Sequence, residues 1–174
     1  MPRRKPPSRS AAERSSESDR RDLRSPPPSN QERRLLAAKA SLGPYSKHKK
    51  NPTAYKLKAY EGLDEDRTFC DADADFTPAD LVRAPDLLQR GISAGLFGHK
   101  NKKGDPSLLW TVDDNGWIYE ACITNPGYGD YHAYPVLRNE AIARKVLARY
   151  REYVENANEP ALEPSLKNAE DRYS

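Results

Sequence analysis

Apolar and polar positions alternate most clearly between Leu108 and Leu137, LLWTVDDNGWIYEACITNPGYGDYHAYPVL, a stretch that predicts a three-stranded antiparallel meander. Asn115-Gly116 lies between two alternating apolar runs, which is the sequence signal of a two-residue type I′ hairpin. That turn pairs Val112 with Tyr119, Trp110 with Ala121 and Leu108 with Ile123, and it puts these six on one buried face. Leu109, Thr111, Ile118, Glu120 and Cys122 then form the opposite face. A third strand over residues 130–137, joined through residues 125–129, sets Thr124 opposite Asp130, Cys122 opposite His132 and Glu120 opposite Tyr134. Pro135 suggests that this strand is an edge.

Helical periodicity is strongest over residues 139–154. There Ile142, Val146, Tyr150 and Tyr153 make one stripe, which is expected to cover the apolar face and bury Trp110 and Tyr119. Upstream, Ser29 and Glu32 have capping-box spacing and open a short helix that Gly43-Pro44 closes, with Leu35, Leu36, Ala38 and Leu42 as its apolar positions. Thr77 as N-cap and Pro78 at the first helical position start another helix. Pro85 should split it after Ala84 and Gly91 should end it, with Leu81, Val82, Leu87 and Leu88 turned to the core.

The fold class expected is therefore α+β. A small antiparallel meander of three or more strands packs on a long C-terminal amphipathic helix, with one or two shorter helices before the sheet. Residues 1–28, rich in Pro, Ser and Arg, read as a disordered basic arm, because they hold too little apolar surface to offset the entropy of ordering. Residues 29–50 read as a short helix and basic linker, 51–156 as one α+β domain, and 157–174 as a flexible acidic tail.

Charge sharpens this division. The chain has 174 residues, of which 32% are charged and 36% hydrophobic, with 15 prolines and a net charge of +3. The first 50 residues carry 14 Lys and Arg against 5 Asp and Glu, while the remainder is net acidic. A basic arm on a mildly acidic body points to an anionic partner. No apolar run reaches the roughly 20 residues that span a bilayer, and no apolar h-region follows the basic start. The two cysteines, Cys70 and Cys122, are expected to be free thiols. A cytoplasmic location is expected, or a nuclear one in a eukaryotic cell.

Candidate chemistry falls into four groups. His99, Lys100, Lys102 and Lys103, with Arg90, form a candidate phosphate-binding set on a loop entering the first meander strand. Lys47, His48, Lys49, Lys50, Lys56 and Lys58 interleaved with Tyr45, Tyr55 and Tyr60 form a second basic–aromatic stretch suited to gripping phosphates and stacking bases. Glu120 and His132 share a face on the expected register, as base and acid for cleaving RNA through its own 2′-hydroxyl. Tyr128, Tyr131 and Tyr134 offer a tyrosine-rich edge for a protein partner. Asp71, Asp73 and Asp75 begin like a calcium loop, but Phe76 and Val82 stand where that loop needs Gly and Glu. Nucleic acid is thus the first expected partner, followed by a protein partner at the tyrosine edge and by a small metal-independent ribonuclease. No membrane, metal or cofactor role is expected, and the oligomeric state is open.

Overall fold

Local capping chemistry starts the structure as expected. Ser29 Oγ accepts from the Glu32 amide at 3.2 Å and Glu32 Oε2 accepts from the Ser29 amide at 2.8 Å, opening helix α1 (Asn30–Ala37). The computed structural model describes residues 21–62, 67–157 and 159–174. Over these residues the chain is α+β. After α1 come β1 (Ser41–Leu42), α2 (Cys70–Asp73), α3 (Ala84–Ser93), β2 (Leu108–Val112), β3 (Ile118–Asn125), β4 (Asp130–Pro135), α4 (Ile142–Ala157) and α5 (Glu163–Tyr173). Helix α1 is shorter than its sequence suggests, so Leu42 falls in β1. The break expected after Ala84 falls at Arg83, between a 3-10 turn (Pro78–Val82) and α3, whose first turn holds Pro85. Gly91 does not end α3. It lies inside the helix because a Cβ there would sit 2.1 Å from the Trp110 carbonyl oxygen.

The four strands form a mixed sheet in the order β1-β4-β3-β2, with β1 parallel to β4. The hairpin between β2 and β3 is where the expected register fails. Val112 pairs with Ile118, Trp110 with Glu120 and Leu108 with Cys122. The cause is Asp113, whose Oδ1 accepts from the Trp117 amide at 2.7 Å and whose own amide bonds the Trp117 carbonyl at 2.9 Å. Those bonds close a three-residue loop in which only Gly116 has positive φ, at 80°. A type I′ turn needs positive φ at Asn115 as well. One residue of slip inverts β3 relative to β2, so Glu120 and Cys122 join the Trp110 face while Tyr119 and Ala121 join the other. Between β3 and β4 the expected pairs Cys122–His132 and Glu120–Tyr134 are present. Thr124 is bulged out, however, and Asp130 meets Asn125.

Both faces of the sheet are covered. On one, Trp110, Val112 and Ile118 pack against Val146, Tyr150 and Val154 of α4 and Ala169 and Tyr173 of α5. On the other, Leu109, Ala121 and Tyr131 pack against Leu36, Leu88 and Ile92, while Tyr119 packs with Tyr55, Cys70 and Phe76. Trp110 and Tyr119 are both buried, but on opposite faces.

Two ends of the chain depart from expectation. Residues 21–28 join the body: Leu23 is buried in the first core cluster and Arg24 makes a forked pair with Glu32 at 2.8 and 2.9 Å. Residues 1–20 of the expected disordered arm lie outside the described residues. The acidic C-terminal stretch is a docked helix rather than a flexible tail. The Tyr173 hydroxyl accepts from the Ile118 amide at 3.1 Å and donates to the Val136 carbonyl at 2.7 Å, which fixes α5 to the hairpin. No helix among the described residues is long and apolar enough to cross a membrane.

Candidate functional site

Helices α4 and α5 cover only the hairpin end of their sheet face. Beyond Trp110 that face continues as Glu120 and Cys122 of β3 and His132 and Tyr134 of β4. Glu120 does not sit there as a free base. It is 1% exposed and takes bonds from Trp110 Nε1 at 2.8 Å, Arg21 Nε at 2.7 Å and the Tyr134 hydroxyl. Arg21 also pairs with Glu140. A carboxylate saturated by three donors is an anchor for its neighbours. Burial and the Glu120 charge together push the Tyr134 hydroxyl far above its ordinary value, so it remains a donor.

A second histidine lies over this face. The 3-10 turn Ser46–His48 places the His48 ring between two side chains of β4. Its centroid is 4.5 Å from Tyr134 and 5.5 Å from His132, nearly parallel to both. Tyr45 flanks His132 at 4.7 Å and is 40% exposed. Each imidazole is held through its Nδ1. His48 Nδ1 is 3.1 Å from the Thr68 carbonyl oxygen, and His132 Nδ1 is 2.7 Å from Thr124 Oγ1. A carbonyl only accepts, so His48 Nδ1 carries the proton and its Nε2 holds a lone pair. Neither Nε2 has a partner among the described residues, and neither is among their sealed, unpaired polar atoms. The His48 residue as a whole is 6% exposed.

Electrostatics favour neutral imidazoles. Burial, reinforced by His132, Lys47 and Lys49, lowers His48 from 6.5 to about 4, against the opposing Thr68 bond. Burial and Lys47 also lower His132. Burial raises the Cys122 thiol and keeps it a poor nucleophile. Beside Tyr45, Lys50, Tyr60, Arg67 and Phe69 line a groove of about 490 Å³. The Arg67 guanidinium lies 4.8 Å from the Tyr60 ring centroid, and Tyr60 meets Tyr45 edge-on at 6.5 Å. Tyr45 therefore links this groove to the two imidazoles.

The other expected site residues are dispersed. Arg90 is at the far end of β2, bound to the Val112 carbonyl at 2.9 Å and to Asp114 at 2.8 Å. Lys100 pairs with Glu32 at 2.8 Å, leaving His99, Lys102 and Lys103 solvent-exposed on the loop. That loop is pinned by Lys39–Asp105 on the α1 side, and the lysine whose charge bears on both imidazoles is Lys47. The tyrosine edge is not a surface. Tyr131 is 1% exposed and donates to the Pro106 carbonyl at 2.9 Å, Tyr134 is half-buried on Glu120, and only Tyr128 is open at 72%. β4 is also flanked by β1, so it is not a free edge over Asp130–Tyr131. Asp71 accepts from the Lys50 and Asn51 amides at 2.8 and 2.9 Å, holding the strand-to-turn segment that carries His48. Among the described residues there is no cluster of three or more His, Cys, Asp or Glu able to hold a metal ion.

Sequence reasoning placed His132 on this face and named His48 only as one of the cations of the basic run Tyr45–Lys58, not as its neighbour. The interleaving of tyrosine, lysine and histidine there was the available signal. Comparisons of the chain with family models, curated proteins and solved structures return no match.

Proposed function

We propose that the protein binds single-stranded RNA on the Tyr45–His48–His132 face and cleaves it by acid–base transesterification. The observation that carries this reading is the pair of adjacent imidazoles, each anchored through Nδ1 and each presenting an unpartnered Nε2. His48 takes the role that the sequence suggested for Glu120. Its Nε2 removes the proton from a ribose 2′-hydroxyl, and the 2′-oxygen forms a bond to phosphorus as the bond from phosphorus to the 5′-oxygen breaks. His132 delivers its proton to that 5′-oxygen. The products are a 2′,3′-cyclic phosphate and a 5′-hydroxyl, and water exchange restores the two imidazoles. Lys47 supplies the adjacent positive charge for the phosphate, whose own charge favours the protonated His132 the step requires. Tyr45 and Tyr60 offer stacking faces to the flanking bases.

The test is incubation of purified protein with short RNA in EDTA, followed by analysis of the product ends. Cyclic phosphate ends are expected, together with loss of cleavage when the 2′-hydroxyl is replaced by hydrogen. His48→Ala and His132→Ala should each slow the reaction by about 100-fold or more. Intact RNA, or either variant cleaving at the wild-type rate, refutes catalysis. Binding without cleavage is the second reading, favoured by the Tyr45–Tyr60–Arg67 arrangement. It is retained if RNA binds with a steep salt dependence but stays intact.

A further inference from the structure

The opposite face of the sheet holds a cavity of about 150 Å³ between β3–β4 and the segment leading into α3. Its wall is almost wholly hydrocarbon, contributed by Phe76, Leu87, Ala121 and Ala133 among others. Pro44, Tyr45 and Pro85 also line it and are solvent-exposed, so the cavity has a mouth at the surface. An apolar space of this size accommodates one benzene-sized ring.

Two polar groups interrupt that wall without satisfying each other. Lys49 is only 6% exposed, and its nitrogen lies 5.1 Å from the Tyr55 ring centroid and 5.6 Å from that of Phe76. Its neighbour within hydrogen-bond reach is the Cys70 thiol, a weak acceptor that burial keeps protonated. No carboxylate among the described residues comes within 4.0 Å of the Lys49 nitrogen. Tyr119 is the second. It is 4% exposed, and its hydroxyl is buried with no hydrogen-bond partner among the described residues. The sealed Tyr119 hydroxyl is costly unless something supplies an acceptor, whereas Lys49 also borders the open groove beside Lys50 and Tyr60.

We infer that this cavity is a binding site for a small monocarboxylate with a body the size of one six-membered ring, the benzoate class, its carboxylate held by Lys49. The ring fills the space lined by Phe76, Leu87 and Ala133, and the carboxylate pairs with the Lys49 ammonium, which has no carboxylate partner among the described residues. Neutral arenes of the same shape lack this charge pairing, and amines are repelled by the ammonium. Fused or longer bodies exceed the volume. The inference does not rest on RNA cleavage: its ligand is read by a different measurement, although Tyr45 and Lys49 border both sites.

The test is titration of the full chain with sodium benzoate, followed by calorimetry and by amide chemical shifts of Cys70, Ala121 and Ala133. Saturable one-site binding with shifts confined to the residues around the cavity is expected. Toluene and benzylamine should bind at least about tenfold more weakly, the contribution of one charge-assisted contact. Lys49→Met should bring benzoate down to the level of toluene while toluene binding persists. Absence of saturable benzoate binding, toluene binding as tightly as benzoate, or unchanged benzoate affinity in Lys49→Met overturns the inference. The wild-type comparison of benzoate with toluene decides the matter even if the variant does not fold.

Discussion

Replacing Glu120 by Gln separates the two roles that a buried carboxylate on the candidate face could have. In the wild type it receives Trp110 Nε1, Arg21 Nε and the Tyr134 hydroxyl, and it is 1% exposed. A glutamine has one carbonyl oxygen to offer and turns an NH2 group toward at least one of those donors. One buried donor is then left unpaired, which costs about 1–3 kcal/mol, and the charge assistance to the others is lost. Arg21 is one-third exposed and keeps Glu140, so its share of the loss is discounted for solvent. The sum is roughly 2–4 kcal/mol of stability. For a chain of this length that lowers Tm by roughly 5–15 °C. Urea unfolding followed by tryptophan fluorescence reads the loss, and RNA cleavage per folded molecule should stay within a few-fold of wild type. Stability unchanged within about 0.5 kcal/mol, the ordinary scatter of a surface substitution, contradicts the anchoring role. Loss of cleavage at full stability would return Glu120 to the chemistry.

Three further outcomes test the same framework. His48 is held neutral, with its folded value near 4 against 6.5 when free, so the stability it supports is complete above pH 6.5 and drains away as pH falls toward 4. The full loss is about 3 kcal/mol. Denaturant midpoints of wild type and His48→Asn should converge over that window, and parallel curves refute it. Because both imidazoles are lowered, the cleavage rate should peak on the acid side of neutrality. Tyr173→Phe removes the bonds to the Ile118 amide and the Val136 carbonyl and should cost about 1–3 kcal/mol by chemical unfolding. No change there would mean that α5 is held by packing alone.

The elements were legible where local chemistry decides them, as in the Ser29–Glu32 capping box, the Pro85 break and the long α4 stripe. The hairpin was legible as a hairpin but not in register, because Asp113 offers its side chain to the Trp117 amide and outcompetes the turn that Asn115-Gly116 favours. The C-terminal helix was hidden by its acidic composition, although Leu162, Leu166, Ala169 and Tyr173 recur at helical spacing. His132 and its pairing with Cys122 could be read from strand alternation. His48 could not, since only the packing of a distant 3-10 turn against β4 brings the second imidazole to the first. The cavity is likewise invisible in sequence, being the space between segments far apart in the chain.

The β2–β3 hairpin is held from both directions along the chain: Arg21 reaches Glu120 across 99 positions, and Tyr173 reaches Ile118 across 55. Such closures of long loops are slow, because their entropy is lost before the contacts form. During synthesis, a nascent chain not yet extended through Tyr173 has its hairpin unfastened on one side. The Trp110–Glu120–Tyr134 platform beneath the two imidazoles thus matures late, and partial translation products should remain protease-sensitive and inert toward RNA.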